Sequence, residues 1–278
     1  MKKKTIITGV ALGTGVLLLC LGLDARLTVR TYRIESDKVT DPVRLAVLTD
    51  LHACKYGPGQ RNLLEAVAKQ TPDVVLLCGD IVDDDPAMPE ERALDTVEAL
   101  AHRWPTYYVT GNHEIWTGRS DEVKQALRTR GAVVLEGESV NVTAGGQVFT
   151  IAGIDDPSIG EVAWQTQLDA VEGSTGKGFF SVLLTHRPER VGTYAQTEFD
   201  LILAGHAHGG QWRVPGLING VLAPNQGLFP SYAGGMYTLG DQGPVLIVSR
   251  GLARESTRIP RLFNRPEIVI VDVEPAKK

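Results

Sequence analysis

An α/β fold is predicted for this chain by three features of its sequence. Short apolar runs alternate with longer polar or amphipathic stretches, which is the rhythm of βαβ units. Several of those runs end abruptly in polar side chains, as strands do where an open sheet gathers a ligand site at its carboxyl edge. Four stretches, at 60–69, 90–102, 120–130 and 161–170, space their apolar residues for helices instead.

The first element stands apart from that rhythm. After MKKK, residues 5–23 run apolar without a charge. At about 1.5 Å per residue a helix of this length spans about 28 Å, near the thickness of a hydrocarbon core. Residues 1–24 are therefore expected to form a single N-terminal transmembrane helix on a cell-membrane protein. A cleaved signal peptide and a soluble N-terminus are the alternatives. LGLDARLT offers no small-residue cleavage site and sets Asp24 where cleavage would fall. Lys2, Lys3 and Lys4 on one side face Arg26, Arg30, Arg33 and Lys38 on the other, which leaves the orientation open.

Residues 25–42 read as a polar connector, and 43–278 as the folded domain. Strands are expected at 44–48, 74–78, 106–109, 149–152, 180–184, 201–204, 245–248 and 268–273. Ser120 is the expected N-cap of the third helix. Residues 209–244, rich in glycine, proline and aromatics, lack periodicity, and loops of that length are usually functional or disordered. A net charge of −5 argues against a nucleic-acid coat, so no nucleic-acid partner is expected. Three cysteines, one of them in the apolar N-terminal segment, make no disulfide framework. Nothing in the sequence fixes the oligomeric state.

Five of the predicted strands run into LTDLH, CGD, TGNHE, THRPE and AGHAHGG, and these loops hold five of the six histidines. Their convergence is expected to build a metal site. Asp50 and His52, two apart in extended chain, would leave the same face and grip one ion. Asp80 offers two carboxylate oxygens and can bridge two cations about 3.5–4 Å apart. Asn112 adds an amide oxygen, and His186, His206 and His208 add nitrogens, a set suited to zinc, iron or manganese. Cys54 follows in alternation, but the ligand set is complete without sulfur.

DLH, GDIVD, GNHE, THRPE and GHAHGG resemble, in order and spacing, the five blocks of the calcineurin-like metallophosphoesterases. The resemblance covers the chain from about residue 43 to 273. It implies a four-layer αββα sandwich of two mixed sheets flanked by helices, with two divalent metal ions at the strand ends. It further implies that Asp50, His52 and His208 hold one metal, that Asn112, His186 and His206 hold the other, and that Asp80 bridges them. By the same resemblance His113 is the acid beside the phosphate, oriented by Asp83. A surface carboxylate is the plainer reading of Asp83, since Asp84 and Asp85 follow it. The family's phosphoprotein phosphatases carry an arginine where this chain has Asp84, which makes protein dephosphorylation the weaker expectation. The anchor and the 209–244 stretch resemble the membrane-associated bacterial branch, with its phosphodiesterases and UDP-2,3-diacylglucosamine pyrophosphatases of lipid A synthesis.

A phosphorylated small molecule or lipid is thus the expected substrate. Trp212 and the apolar residues after it would form a wall for acyl chains, or pack on the protein's own core. Arg250, Arg254, Arg258, Arg261 and Arg265 recur every three or four residues, and some, Arg250 among them, would clamp a diphosphate or simply lie in solvent. Asn112 also faces the expected substrate side. An anchored, non-catalytic protein that keeps metals for stability is the competing class, and turnover separates the two.

Overall fold

The computed structural model describes residues 20–173, 175, 178–241, 243–254 and 259–277. Two six-stranded mixed sheets form its centre. The first runs β1 (Thr28–Ser36), β14 (Glu267–Pro275), β2 (Val43–Leu48), β3 (Val74–Cys78), β4 (Thr106–Val109) and β5 (Val133–Val134). The second runs β12 (Gly235–Thr238), β13 (Val245–Val248), β9 (Leu201–Ala204), β8 (Phe180–Leu184), β7 (Gln147–Gly153) and β6 (Glu138–Ala144). A two-stranded ribbon, β10 (Leu222–Ala223) with β11 (Gly227–Leu228), lies apart from both.

The apolar runs are continuous because both faces of each central strand are covered. Leu45, Val47 and Leu76 of the first sheet meet Phe149, Val182 and Leu203 of the second in the middle of the sandwich. The opposite faces of β2 and β3, through Ala46, Leu48 and Leu77, pack on α1 (Arg61–Ala68), α2 (Glu90–Ala101) and α4 (Ser120–Thr129). Trp164 and Leu168 of α5 (Glu161–Glu172) and Tyr194 of α6 (Val191–Tyr194) cover the far face of the second sheet. The short α3 (Asn112–Trp116) follows β4 directly. Helices, sheet, sheet and helices are thus the four expected layers.

The connector expectation for residues 25–42 is corrected. β1 lies within it and pairs in parallel with β14 from Thr28 to Ser36. Its residues TVRTYRIES are mostly exposed, so no apolar run announced an edge strand. A chain beginning at Asp41 loses β1 and bares β14, and we expect it to self-associate, because an uncovered strand edge is a template for pairing. Beginning at Asp24 should keep it monomeric by light scattering; equal behaviour of the two truncations would refute this role for β1. Ser120 is the first residue of α4 rather than its cap, and Arg119 at the cap position makes no side-chain capping bond. The anchor predicted at 5–23 lies outside the described residues except for its last four. Among the described residues no helix is long and apolar enough to cross a membrane.

Candidate metal centre

β2, β3 and β4 of one sheet and β8 and β9 of the other end at the same edge, where their loops meet. Backbone hydrogen bonds carry the pairing past the strands: Asp50 N donates to Gly79 O at 3.0 Å, His52 N to Asp80 O at 2.9 Å, and Gly205 N to His186 O at 3.1 Å. The loops are clipped together before any side chain is considered.

Asp50 and His52 do share a site, but not through strand alternation. Both have left-handed backbone, with φ of 51° and 48°, as do Asp80, His206 and His208. Non-glycine residues rarely adopt that region, and strain of this kind concentrates at functional sites. Asp50 is wedged between main chains: a Cβ on Gly205 or on Gly251 would stand 2.6 Å from its Oδ2. Only glycine permits so close an approach.

The ligand candidates fall into overlapping groups. Donor atoms of Asp50, His52 and His208 lie within 4.8 Å of one another, as do those of Asp80, His186 and His206, and those of His52, Asp80 and His113. Asp80 Oδ2 is 3.0 Å from His186 Nε2, 3.6 Å from His52 Nε2 and 4.0 Å from His113 Nε2. Its Oδ1 is occupied, accepting the His113 backbone N–H at 2.9 Å.

Of the buried polar atoms that make no hydrogen bond, seven belong to the expected ligands: Asp50 Oδ2, His52 Nε2, Asn112 Oδ1, His206 Nδ1, His208 Nδ1, and Asp80 Oδ2 and His186 Nε2, which face each other as an ion pair. An unsatisfied buried polar atom costs about 1–3 kcal/mol, so a cluster of them in one place needs something to collect it. Oxygen and imidazole donors of this kind fit a divalent transition-metal cation.

Outer contacts fix which nitrogen faces inward. His186 donates Nδ1–H to Cys78 O at 2.8 Å, which leaves Nε2 toward Asp80. His206 Nε2 lies 2.8 Å from Asn225 Oδ1, leaving Nδ1 inward. Arg187 donates to the same Asn225 oxygen at 2.6 Å and is itself held by Asp156 at 2.5 and 3.0 Å.

The electrostatics call for positive charge. Burial alone would lower His186, but the charges of Asp80 and Asp50 override it and push the ring up to about 10. His206 moves the other way: burial, with His186 and Arg187 nearby, pushes it down to about 3 and keeps it a neutral donor. Burial likewise opposes the charge on His113, yet hydrogen bonding to Asp83 and the fields of Asp80 and Asp84 raise it to about 9. Asp83, despite burial, is held below the usual carboxylate range by hydrogen bonds from His113 and His52.

Asp83 is shared between two rings. Its Oδ2 is 2.9 Å from His52 Nδ1 and its Oδ1 3.6 Å from His113 Nδ1. Asp84 Oδ1 comes closer to His113 Nδ1, at 2.5 Å. The side chain that replaces the phosphatase arginine therefore sits on the expected acid.

Two expected substrate contacts are corrected or qualified. Arg250 does not project as a free phosphate clamp, because its guanidinium is nearly buried against Glu267, with Nε donating to Oε2 at 2.6 Å. The arginine row makes no common face: Arg261 donates to Arg250 O, Arg265 to Arg26 O, and Arg254 stacks over Tyr56, while Arg258 lies outside the described residues. Trp212 is about half exposed and anchors its indole N–H on Pro260 O at 3.0 Å. Cys54 takes no part in the ligand groups; its sulfur accepts from Arg254 N at 3.3 Å.

Glu114 was not singled out from the sequence. Its Oε1 accepts the backbone N–H groups of Ile81 and Val82 at 2.7 and 2.9 Å, and its Oε2 those of Gly111 and Asp80 at 2.7 and 3.0 Å. One buried carboxylate thus ties the β3 and β4 loops. Asp156, Arg187 and Asn225 were missed as well. The run IDDP at the end of β7 is the one signal of a sixth polar strand end.

Sandwich and ligand cluster together define a metal-dependent phosphoester hydrolase. Residues 43–210, more than half of the sequence, match the calcineurin-like phosphoesterases, and the chain belongs to that family. It is 27% identical over 237 residues to phosphodiesterase YaeI of Escherichia coli, covering 84% of this chain and 82% of that one. It is 26% identical over 252 residues to the metallophosphoesterase Cj0846 of Campylobacter jejuni, covering 90% of this chain and 64% of the relative. A dimetal phosphatase from Danio rerio shares the fold at a TM-score of 0.50 and 15% identity, over 77% of this chain and 88% of that one.

Proposed function

We propose that the chain hydrolyses a phosphodiester or pyrophosphate bond with two divalent cations, manganese, zinc or iron. Asp50, His52 and His208 would hold one cation and Asn112, His186 and His206 the other, with Asp80 shared between them. The observation that carries this reading is the cluster of buried donor atoms without a hydrogen bond on the expected ligands, six of which belong to the groups Asp50, His52, His208 and Asp80, His186, His206. When bound, such a pair of cations polarises a phosphate and makes water a stronger nucleophile. The residues around them position and protonate.

His113 is the general acid. The carboxylates of Asp83 and Asp84 favour its charged form, its side chain is 23% exposed, and its Nδ1 side is turned to them. That leaves Nε2–H facing the centre, 4.0 Å from Asp80 Oδ2, placed to protonate a leaving oxygen. His113→Ala should keep the cations and slow turnover by about 10²–10⁴-fold, the usual worth of a positioned acid. Assayed on diesters of graded leaving-group pKa, the loss should shrink as the leaving group improves. Metal content falling in step with activity would show His113 to be a ligand instead.

A diester or pyrophosphate is favoured over a phosphoprotein because Asp84 puts negative charge where the phosphatases of the family carry arginine. The E. coli relative's name, phosphodiesterase, points the same way. Within that class we favour a lipid-linked substrate, such as a UDP-diacylglucosamine, presented to an enzyme held at the membrane by residues 1–24. Side-by-side turnover of a lipid-linked pyrophosphate, a simple diester and a monoester by the metal-loaded full chain tests the assignment. A clear preference for the monoester would overturn it.

A further inference from the structure

Fourteen large apolar side chains are exposed among the described residues, and six of them, Trp212, Val214, Leu217, Leu222, Leu228 and Phe229, fall within one 18-residue excursion. This excursion leaves the metal centre immediately after His208 and Gly210. Leu217, Leu228 and Phe229 are 81%, 69% and 66% exposed, far beyond what packing on the protein's own core would leave. Scattered exposed leucines need no explanation, but a cluster of this density does.

The excursion is built to present those side chains. Trp212 and Val214 alternate with Arg213 along an extended segment, Val214 bridges to Ile218, and Leu222 pairs across the β10–β11 ribbon with Leu228. Val221 N donates to Trp212 O at 2.9 Å and Phe229 N to Val221 O at 2.8 Å, so the whole is one hydrogen-bonded unit.

The same unit is joined to the start of the chain. Leu262 N donates to Gln211 O at 3.1 Å, Arg213 N to Leu262 O at 3.0 Å, and Phe263 N to Gly22 O at 2.6 Å. The end of the uncharged 5–23 run, with Leu21 and Leu23 themselves exposed, therefore reaches the surface that carries Trp212. Trp212 has the form of an interfacial residue, its indole N–H satisfied by Pro260 O and its ring open to solvent.

We propose that residues 212–229 dip into the interfacial layer of a lipid bilayer beside the N-terminal segment, and so hold the mouth of the metal centre at the membrane surface. The occupant is lipid rather than protein because the 19-residue run 5–23, apolar and uncharged, ends at this face and is long enough to span a hydrocarbon core. The proposal rests on the membrane-anchor reading of residues 1–24, and not on the hydrolytic reaction.

The test uses the full chain reconstituted with phosphatidylcholine vesicles whose acyl chains carry bromine, a contact quencher of tryptophan. The Trp212→Phe chain, measured in parallel, isolates the Trp212 signal from the other three tryptophans. We expect the protein to stay with the vesicles through a high-salt wash and the Trp212 emission to lose most of its intensity. Leu217→Glu with Phe229→Glu, both at exposed positions, should restore much of that emission while the protein stays bound. Protein washed off by salt would overturn the anchor and this surface together. Vesicle-bound protein with a blue-shifted but unquenched Trp212 would overturn the surface alone, since a second copy or the N-terminal segment would then be covering it.

Discussion

Replacing Asp80 by Asn should abolish turnover, a loss of about 10³-fold or more, and lower the bound cations from two toward one or none. Asp80 Oδ2 faces His186 at 3.0 Å, His52 at 3.6 Å and His113 at 4.0 Å, so both proposed ligand groups meet at this one oxygen. Asparagine keeps the shape and removes the charge that balances two dications at short separation. Several kcal/mol of transition-state stabilisation go with that charge, and each 1.36 kcal/mol is tenfold in rate. Metal analysis and turnover of a chromogenic diester on the same sample check the result. A variant that keeps two cations and a near-normal rate sinks the bridging assignment.

Glu114→Gln should damage the site from behind, through stability. Two of the four backbone N–H groups that Glu114 accepts would face an amino group instead of an oxygen, since each carboxylate oxygen takes two of them. At about 1–3 kcal/mol for each stranded buried donor, the cost is roughly 2–6 kcal/mol. Burial and the nearby Asp80 raise the pKa of Glu114, so removing its charge relieves some repulsion and offsets part of the cost. The stranded donors should still win, because these amides make no other hydrogen bond among the described residues and Glu114 is fully buried. We expect a fall in melting temperature on the order of 10 °C for a chain of this size. A melting temperature within a degree of the parent would show that the β3 and β4 loops hold together without Glu114.

The sequence was most legible where local pattern and global fold agree. Eight strands and four helices stand where apolar runs and helical spacing placed them, because each buries its apolar face within its own layer. The cluster of histidines at strand ends was legible for a related reason: polar side chains that interrupt a buried run need partners. β1 was not legible, since an edge strand exposed along most of its length carries no apolar signature and is fixed by its pairing with β14. Glu114 stands inside GNHE, but its partners Ile81 and Val82 come more than thirty residues earlier, and a backbone acceptor leaves no mark on spacing. Asp50 and His52 came together as expected for a reason the alternation argument did not contain, the left-handed turn at both residues.

The glycine walls around Asp50 bear on how such a site can diverge. Behind this carboxylate stand Gly205 and Gly251, and a single methyl group on either would collide with it. Gradual retuning of the centre by resizing its neighbours is closed off there, because the neighbours are main chain. The excursion at 212–229 is divided: Asn225 holds the His206 ring, but the outer side chains of Leu217, Leu228 and Phe229 touch little, so exchanges at those positions leave the ligand geometry alone. Within one chain, then, the outer face of the excursion is free to drift while the surroundings of Asp50 are not.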